Sequence, residues 1–180
     1  MTPWFIATEP FTPANGAWEH YIEWSGLTQL VELVSLDGIL CPTLLREIKE
    51  DYWPYIVNED LMLHYFVDFD FLMRQVAEIE RKNVLCVIRN PTERPAAPLV
   101  APFEFLGYDL VDVEGDVSAL TNCGGFPDVF ANSELSRVGL LPEFERAVEV
   151  QRLLRSVHPE EHHADCHLWA IFRVRGSAGG

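Results

Sequence analysis

The sequence predicts a single α+β domain, or an irregular α/β one, with a mixed β-sheet covered by helices. Three observations carry that expectation. Val84-Leu85-Cys86-Val87-Ile88 is a continuous apolar run of strand length, and Leu168 to Arg175 is a second strand-like segment. Residues near 70–82 and 142–157 repeat apolar side chains at steps of three and four, the period of a helix that buries one face. Strand-like and helix-like segments interleave without a regular βαβ rhythm, and no internal repeat occurs.

In chain order, Trp4-Phe5-Ile6-Ala7 reads as a short strand left at Pro10 and Pro13. Ala17 to Trp24 has helical spacing in Trp18, Tyr21 and Ile22, with Ser25-Gly26 as its stop. Leu30 to Leu36 reads as a buried strand before the turn Asp37-Gly38, and Pro42 suits the first turn of a short helix through Ile48. Phe69, Leu72, Val76 and Ile79 mark a helix over 70–82, capped by Asp68 or Asp70 and closed by Arg81-Lys82-Asn83. Four prolines make 90–102 a surface loop within the one domain. Phe103 to Val113 reads as a strand interrupted at Gly107, Val129–Val138 as a short helix, and Pro142 to Val157 as the firmest helix. The segment 176–180 reads as a flexible tail, which leaves 1–175 as the domain.

Composition narrows the function. Of 180 residues 48% are hydrophobic, enough to fill a sizeable core. Asp and Glu number 28 against 13 Lys and Arg, a net charge of −15. Nucleic acid is not expected as a partner, because a phosphate backbone requires a basic footprint. An anionic membrane surface is disfavoured on the same ground, and no apolar run reaches the roughly 18 residues that span a bilayer. The N-terminus lacks the basic and apolar regions of a signal peptide, and the four cysteines are widely spaced without a C-x-x-C. Free thiols and a cytoplasmic location are therefore expected. The charge is uneven, with 14 acidic and 3 basic side chains in residues 1–80.

Three constellations are candidates for chemistry. The first is the aromatic and acidic belt from Glu47 to Phe71, in which Asp51, Trp53, Tyr55, Glu59, Asp60 and Asp68 are the expected contacts to a basic protein partner. Aromatics supply contact area and carboxylates steer encounter. The leading expectation is accordingly a small acidic binding protein, in its concrete form an immunity- or antitoxin-like inhibitor.

The second is Thr121-Asn122-Cys123-Gly124-Gly125-Phe126. A cysteine before two glycines sits where the backbone turns tightly and leaves amide N–H groups free. The alternative reading is a Cys/His hydrolase or transferase with Cys123 as nucleophile, His163 as base and Asp165 as orienter.

The third is the run His158-Pro159-Glu160-Glu161-His162-His163-Ala164-Asp165-Cys166-His167. His158 to His162 fits H-x-x-E-H formally, but Pro159 interrupts the helix such a zinc site needs. A looser site drawn from His158, His162, Cys166 and His167 is the zinc-binding alternative. On the last strand Arg173 and Arg175 share a face with His167, Trp169 and Ile171, while the other face, from Cys166 to Val174, is core. Without a dinucleotide fingerprint, P-loop, H-E-x-x-H or EF-hand loop, no cofactor is expected. Nothing in the sequence specifies an oligomeric state.

Overall fold

A computed structural model describes residues 2–57, 63–113 and 117–175 of the chain. Four strands form the sheet: β1 (Trp4–Thr8), β2 (Asn83–Arg89), β3 (Phe103–Asp112) and β4 (Cys166–Val174). Their spatial order is β1-β2-β4-β3. The longest helix, α3 (Phe144–Val157), joins β3 to β4, while α1 (Trp18–Ser25) and α2 (Phe69–Gln75) lie between β1 and β2. The α+β class holds. The expected mixed sheet is wholly antiparallel among these strands, because each neighbouring pair runs in opposite directions.

β2 and β4 occupy the centre, and their composition says why. β2 is buried from Asn83 to Ile88, and β4 places Leu168, Ala170 and Phe172 on one face and Trp169 and Ile171 on the other. A strand covered on both sides reads as a continuous apolar run. The two faces belong to different apolar clusters. All three helices pack on the first face, through Trp18 and Tyr21, Phe71 and Leu72, and Ala147, Val150 and Leu154. Irregular chain covers the second, with Val34, Leu36, Leu63, Tyr65 and Leu140 closing over Trp169. Helices thus cover one face rather than the whole sheet. The face of β4 that carries Trp169 and Ile171 is core as well.

Four local expectations differ from the fold. Leu30–Leu36 is buried at Leu30 and from Leu33 to Leu36 but joins no strand, because its amides bond to loops: Leu33 N–H to Phe11 O at 2.8 Å and Val34 N–H to Val138 O at 3.0 Å. Pro42–Ile48 is irregular rather than helical, with a single bridge from Thr43 to Thr8. Leu44 N–H reaches Ala7 O and Pro42 O accepts from Glu9 N–H, so the segment pairs with the end of β1. The helix expected over 70–82 stops at Gln75, since the chain must reverse before β2 opens at Asn83. Only a 3-10 turn, Asn132–Glu134, forms within 129–138. The tail expected at 176–180 lies outside the described residues.

Buried charge ties these loops to the sheet. Asp109, in the middle of β3, is wholly buried and accepts from Ser35 Oγ–H and Leu36 N–H on one oxygen and from Leu110 N–H and Ser118 Oγ–H on the other. Asp37 accepts from the amides of Ile39, Leu40 and Ser118 and from the Asn122 side chain. Each carboxylate has four donors, which fills its lone-pair sites. Near the rim Arg173 is held by Glu32 at 2.5 Å and Glu104 at 3.3 Å.

Candidate functional site

The loop after β3 returns to the sheet through the bridge between Val111 and Ser118, then makes a tight turn in which Asn122 N–H bonds Ser118 O at 3.0 Å. Gly124 and Gly125 follow with φ of 77° and 86°, consecutive left-handed conformations that glycine adopts without steric cost. Phe126 is buried beneath them. On the facing side α3 ends at Val157, and the chain passes through a 3-10 turn, His162–Ala164, into β4. The Phe126 ring contacts both His158 and His163, with centroids 4.9 and 5.7 Å apart. Between the two loops lies a cleft of about 340 Å³, whose walls include Cys123, Asp128, His158, Glu161, His162 and His163.

Cys123 and His163, expected to act together, do share this cleft. Asp165 does not join them. It lies on the other side of the turn, exposed, paired with Arg155 at 3.2 Å. The Cys123 thiol donates to Ala119 O at 2.8 Å, and burial pushes its pKa up from 9.0 to about 11, with Glu161 and Asp37 adding to the shift. A nucleophilic cysteine needs the opposite shift. Alkylation of Cys123 by iodoacetamide at pH 8 is therefore expected to run roughly 100-fold slower than that of an ordinary thiol. The rate should rise about tenfold per pH unit until the pH nears that pKa. Site-resolved mass spectrometry measures this, and labelling at the free-thiol rate at neutral pH would contradict it.

The four residues expected as metal ligands are divided between two clefts, His158 and His162 in the first and Cys166 and His167 in another. His158 Nε2 is 2.9 Å from Asp128, whose carboxyl pKa is lowered by that hydrogen bond. His162 Nδ1 is 2.9 Å from Asp112 Oδ2. Cys166 is buried at the start of β4, where burial raises its thiol to about 12. His167 bonds Asn90 through Nδ1 at 3.0 Å. Asp165, Cys166 and His167 all line a second, larger cleft of about 560 Å³ beside α3. The cluster that looks continuous in sequence is split by the fold.

Asp112, which the sequence reading does not single out, is buried next to His162, one of the residues that line the first cleft. Register places it opposite Cys166, so the last residue of β3 sits beneath the 3-10 turn that carries His162 and His163. A charged residue inside the run Leu110-Val111-Asp112-Val113 is the signal available in the sequence. His163 is 3% exposed and its Nε2 is buried without a hydrogen-bond partner. Burial lowers its pKa, and the neighbouring His162 adds to that.

The acidic belt lies at the outer edge of β1. Phe66 bridges Phe5 on one side and Ile56 on the other, which caps that edge. Within the belt Tyr55 stacks on Phe71 at 4.0 Å, and Asp68 caps α2 by accepting from Phe71 N–H at 2.8 Å. Asp51 is exposed, and Trp53 is 62% exposed. Glu59 and Asp60 lie outside the described residues. No helix among the described residues is long and apolar enough to cross a membrane. No family model, curated protein or solved structure matches the chain.

Proposed function

We propose that the protein binds a basic protein partner through the acidic-aromatic surface at the β1 edge, in the manner of an immunity- or antitoxin-like inhibitor. One observation carries the reading: Trp53, a large side chain that would ordinarily be sheltered, stands 62% exposed on a segment that also exposes the carboxylates Glu50 and Asp51. Val67 N–H bonds Tyr55 O, which ties the segment that carries Trp53 to the one that carries Val67. Among the described residues Glu47, Glu50, Asp51 and Asp70 form no ion pair. An exposed aromatic on a segment with exposed carboxylates matches a cationic surface with an apolar pocket. Asp68 serves the helix cap instead, and Tyr55 supports the patch through Phe71.

The test separates steering from anchoring. Glu50→Lys with Asp51→Lys is expected to slow association about tenfold at low salt and to flatten its salt dependence. Trp53→Ala is expected to act on dissociation and to weaken binding about 30-fold, the effect of a central interface anchor. Capture on the immobilised chain at low ionic strength supplies the partner, and surface plasmon resonance supplies both rates. Recovery of no basic partner, or a partner whose rates both variants leave unchanged, overturns the reading.

A further inference from the structure

We infer that Asp112, His162 and His163 form a binding site for one divalent transition-metal ion, zinc by the chemistry of its ligands. One ring nitrogen from each histidine and one oxygen of Asp112 all lie within 4.8 Å of one another. The closest pair, His162 Nδ1 and Asp112 Oδ2, is 2.9 Å apart. Neighbouring ligands around a tetrahedral ion with bonds near 2.0–2.1 Å stand roughly 3.3 Å apart, so adjustments of side-chain torsions suffice to close the set.

The donors fit that ion. Two imidazoles and a carboxylate suit zinc and its neighbours in the first transition row better than calcium or magnesium, which prefer oxygen. His163 supplies the second, independent observation. Its Nε2 is buried with no partner, although its ring lines the cleft, and a buried polar atom left this way is a standing cost of the fold. A metal bond to the ring would give the buried imidazole a polar partner. Asp112 is buried beneath and supplies the negative charge that a dication needs.

The elements that carry the ligands are rigid. Asp112 closes a paired strand, and the two histidines occupy a turn fixed between α3 and β4 by the bonds of Glu161 N–H to His158 O and Ala164 N–H to Glu161 O. Three protein ligands leave a fourth position, and because His162 and His163 both line the cleft, that position opens toward it. Three ligands with one open place is the pattern of zinc sites that bind a further small ligand, whereas structural sites are closed by four. Cys123 remains a thiol bonded to Ala119 O and lies outside the ligand set.

Zinc titration of the chelator-treated full chain, read by isothermal calorimetry and by competition with a chromophoric chelator, tests the assignment. One equivalent is expected to bind at micromolar zinc or tighter. His162→Ala removes an exposed ligand and is expected to weaken binding roughly 100-fold or more, beyond the 10–100-fold effect of an outer-shell partner. His158→Ala, in the same cleft but paired with Asp128, is expected to leave binding unchanged. Cobalt substitution supplies a second readout, with the intense visible bands of a four-coordinate site lost in His162→Ala and retained in His158→Ala. Circular dichroism verifies that each variant is folded. Failure of the wild type to bind an equivalent, full binding by His162→Ala, or equal losses in the two variants overturns the proposal.

Discussion

Asp109→Ala is expected to lower the free energy of unfolding by about 2–5 kcal/mol, among the largest effects of any single polar substitution in the chain. The carboxylate holds four donors in a wholly buried place. Ser35 and Ser118 can rotate their hydroxyls toward other acceptors. The amides of Leu36 and Leu110 cannot, and each buried N–H left unpaired costs about 1–3 kcal/mol. Asp109→Asn keeps the shape but sets a donating NH2 against one of those two amides, so it is expected to fall between the wild type and alanine. The pH dependence has a definite sign. Burial is the largest influence on Asp109 and raises its pKa in the fold, the serine hydrogen bonds opposing it only in part. A raised folded pKa adds stability below the unfolded value near 4 and loses it as pH rises through the folded value. The stability margin of the wild type over Asp109→Asn should therefore be widest below about pH 4 and narrow above it. Urea unfolding at several pH values measures both quantities. A loss under about 1 kcal/mol for alanine would show that the network is not holding the loop. Because Ser118 also ties Asp37 and Asn122 together, the Asp109 substitution should loosen the wall of the cleft that carries Cys123.

Asp109 also shows where sequence reading stops. The central strands were legible, since Val84–Ile88 and Leu168–Phe172 are apolar at a density that only a doubly covered strand sustains. The helix at Phe144–Val157 was legible because its period and its proline entry agree. What escaped was chain whose hydrogen bonds are non-local. Leu30–Leu36 has strand composition, yet its amides go to Phe11, Arg137 and Val138, partners that no local pattern identifies. The site followed the same rule. His162 and His163 drew attention by their density, whereas Asp112 comes from a strand 50 residues earlier and meets His162 only through the register of β3 and β4. Asp165, Cys166 and His167, adjacent in sequence, line a different cleft beside α3. Proximity in sequence grouped residues that the fold separates, and it missed the carboxylate that the fold supplies.

Gly107→Ala is expected to cost about 2–6 kcal/mol, and the reason is separable into two parts. Gly107 has a φ of 145°, a conformation closed to side-chain-bearing residues at a cost of about 1–3 kcal/mol. It also stands at a bulge, where the register of β3 against β4 shifts between Phe105 and Gly107. A methyl group there would lie 2.7 Å from Leu140 Cβ and 2.8 Å from Leu141 O. The obstruction includes backbone, because Tyr108 and Leu141 exchange amide bonds of 2.8 and 3.0 Å immediately beside it. Relief would require prising the 140–141 segment from β3 and drawing Leu140 out of the cluster over Trp169, an overpacking penalty of about 1–3 kcal/mol. Gly124→Ala supplies the control. Its φ of 77° is also positive, but nothing lies within 4 Å of the added carbon, so only the left-handed backbone penalty of about 1–2 kcal/mol is expected. Urea unfolding of the two variants side by side decides the matter. A Gly107→Ala loss no larger than that of Gly124→Ala would mean that the strand edge yields where the packing says it cannot.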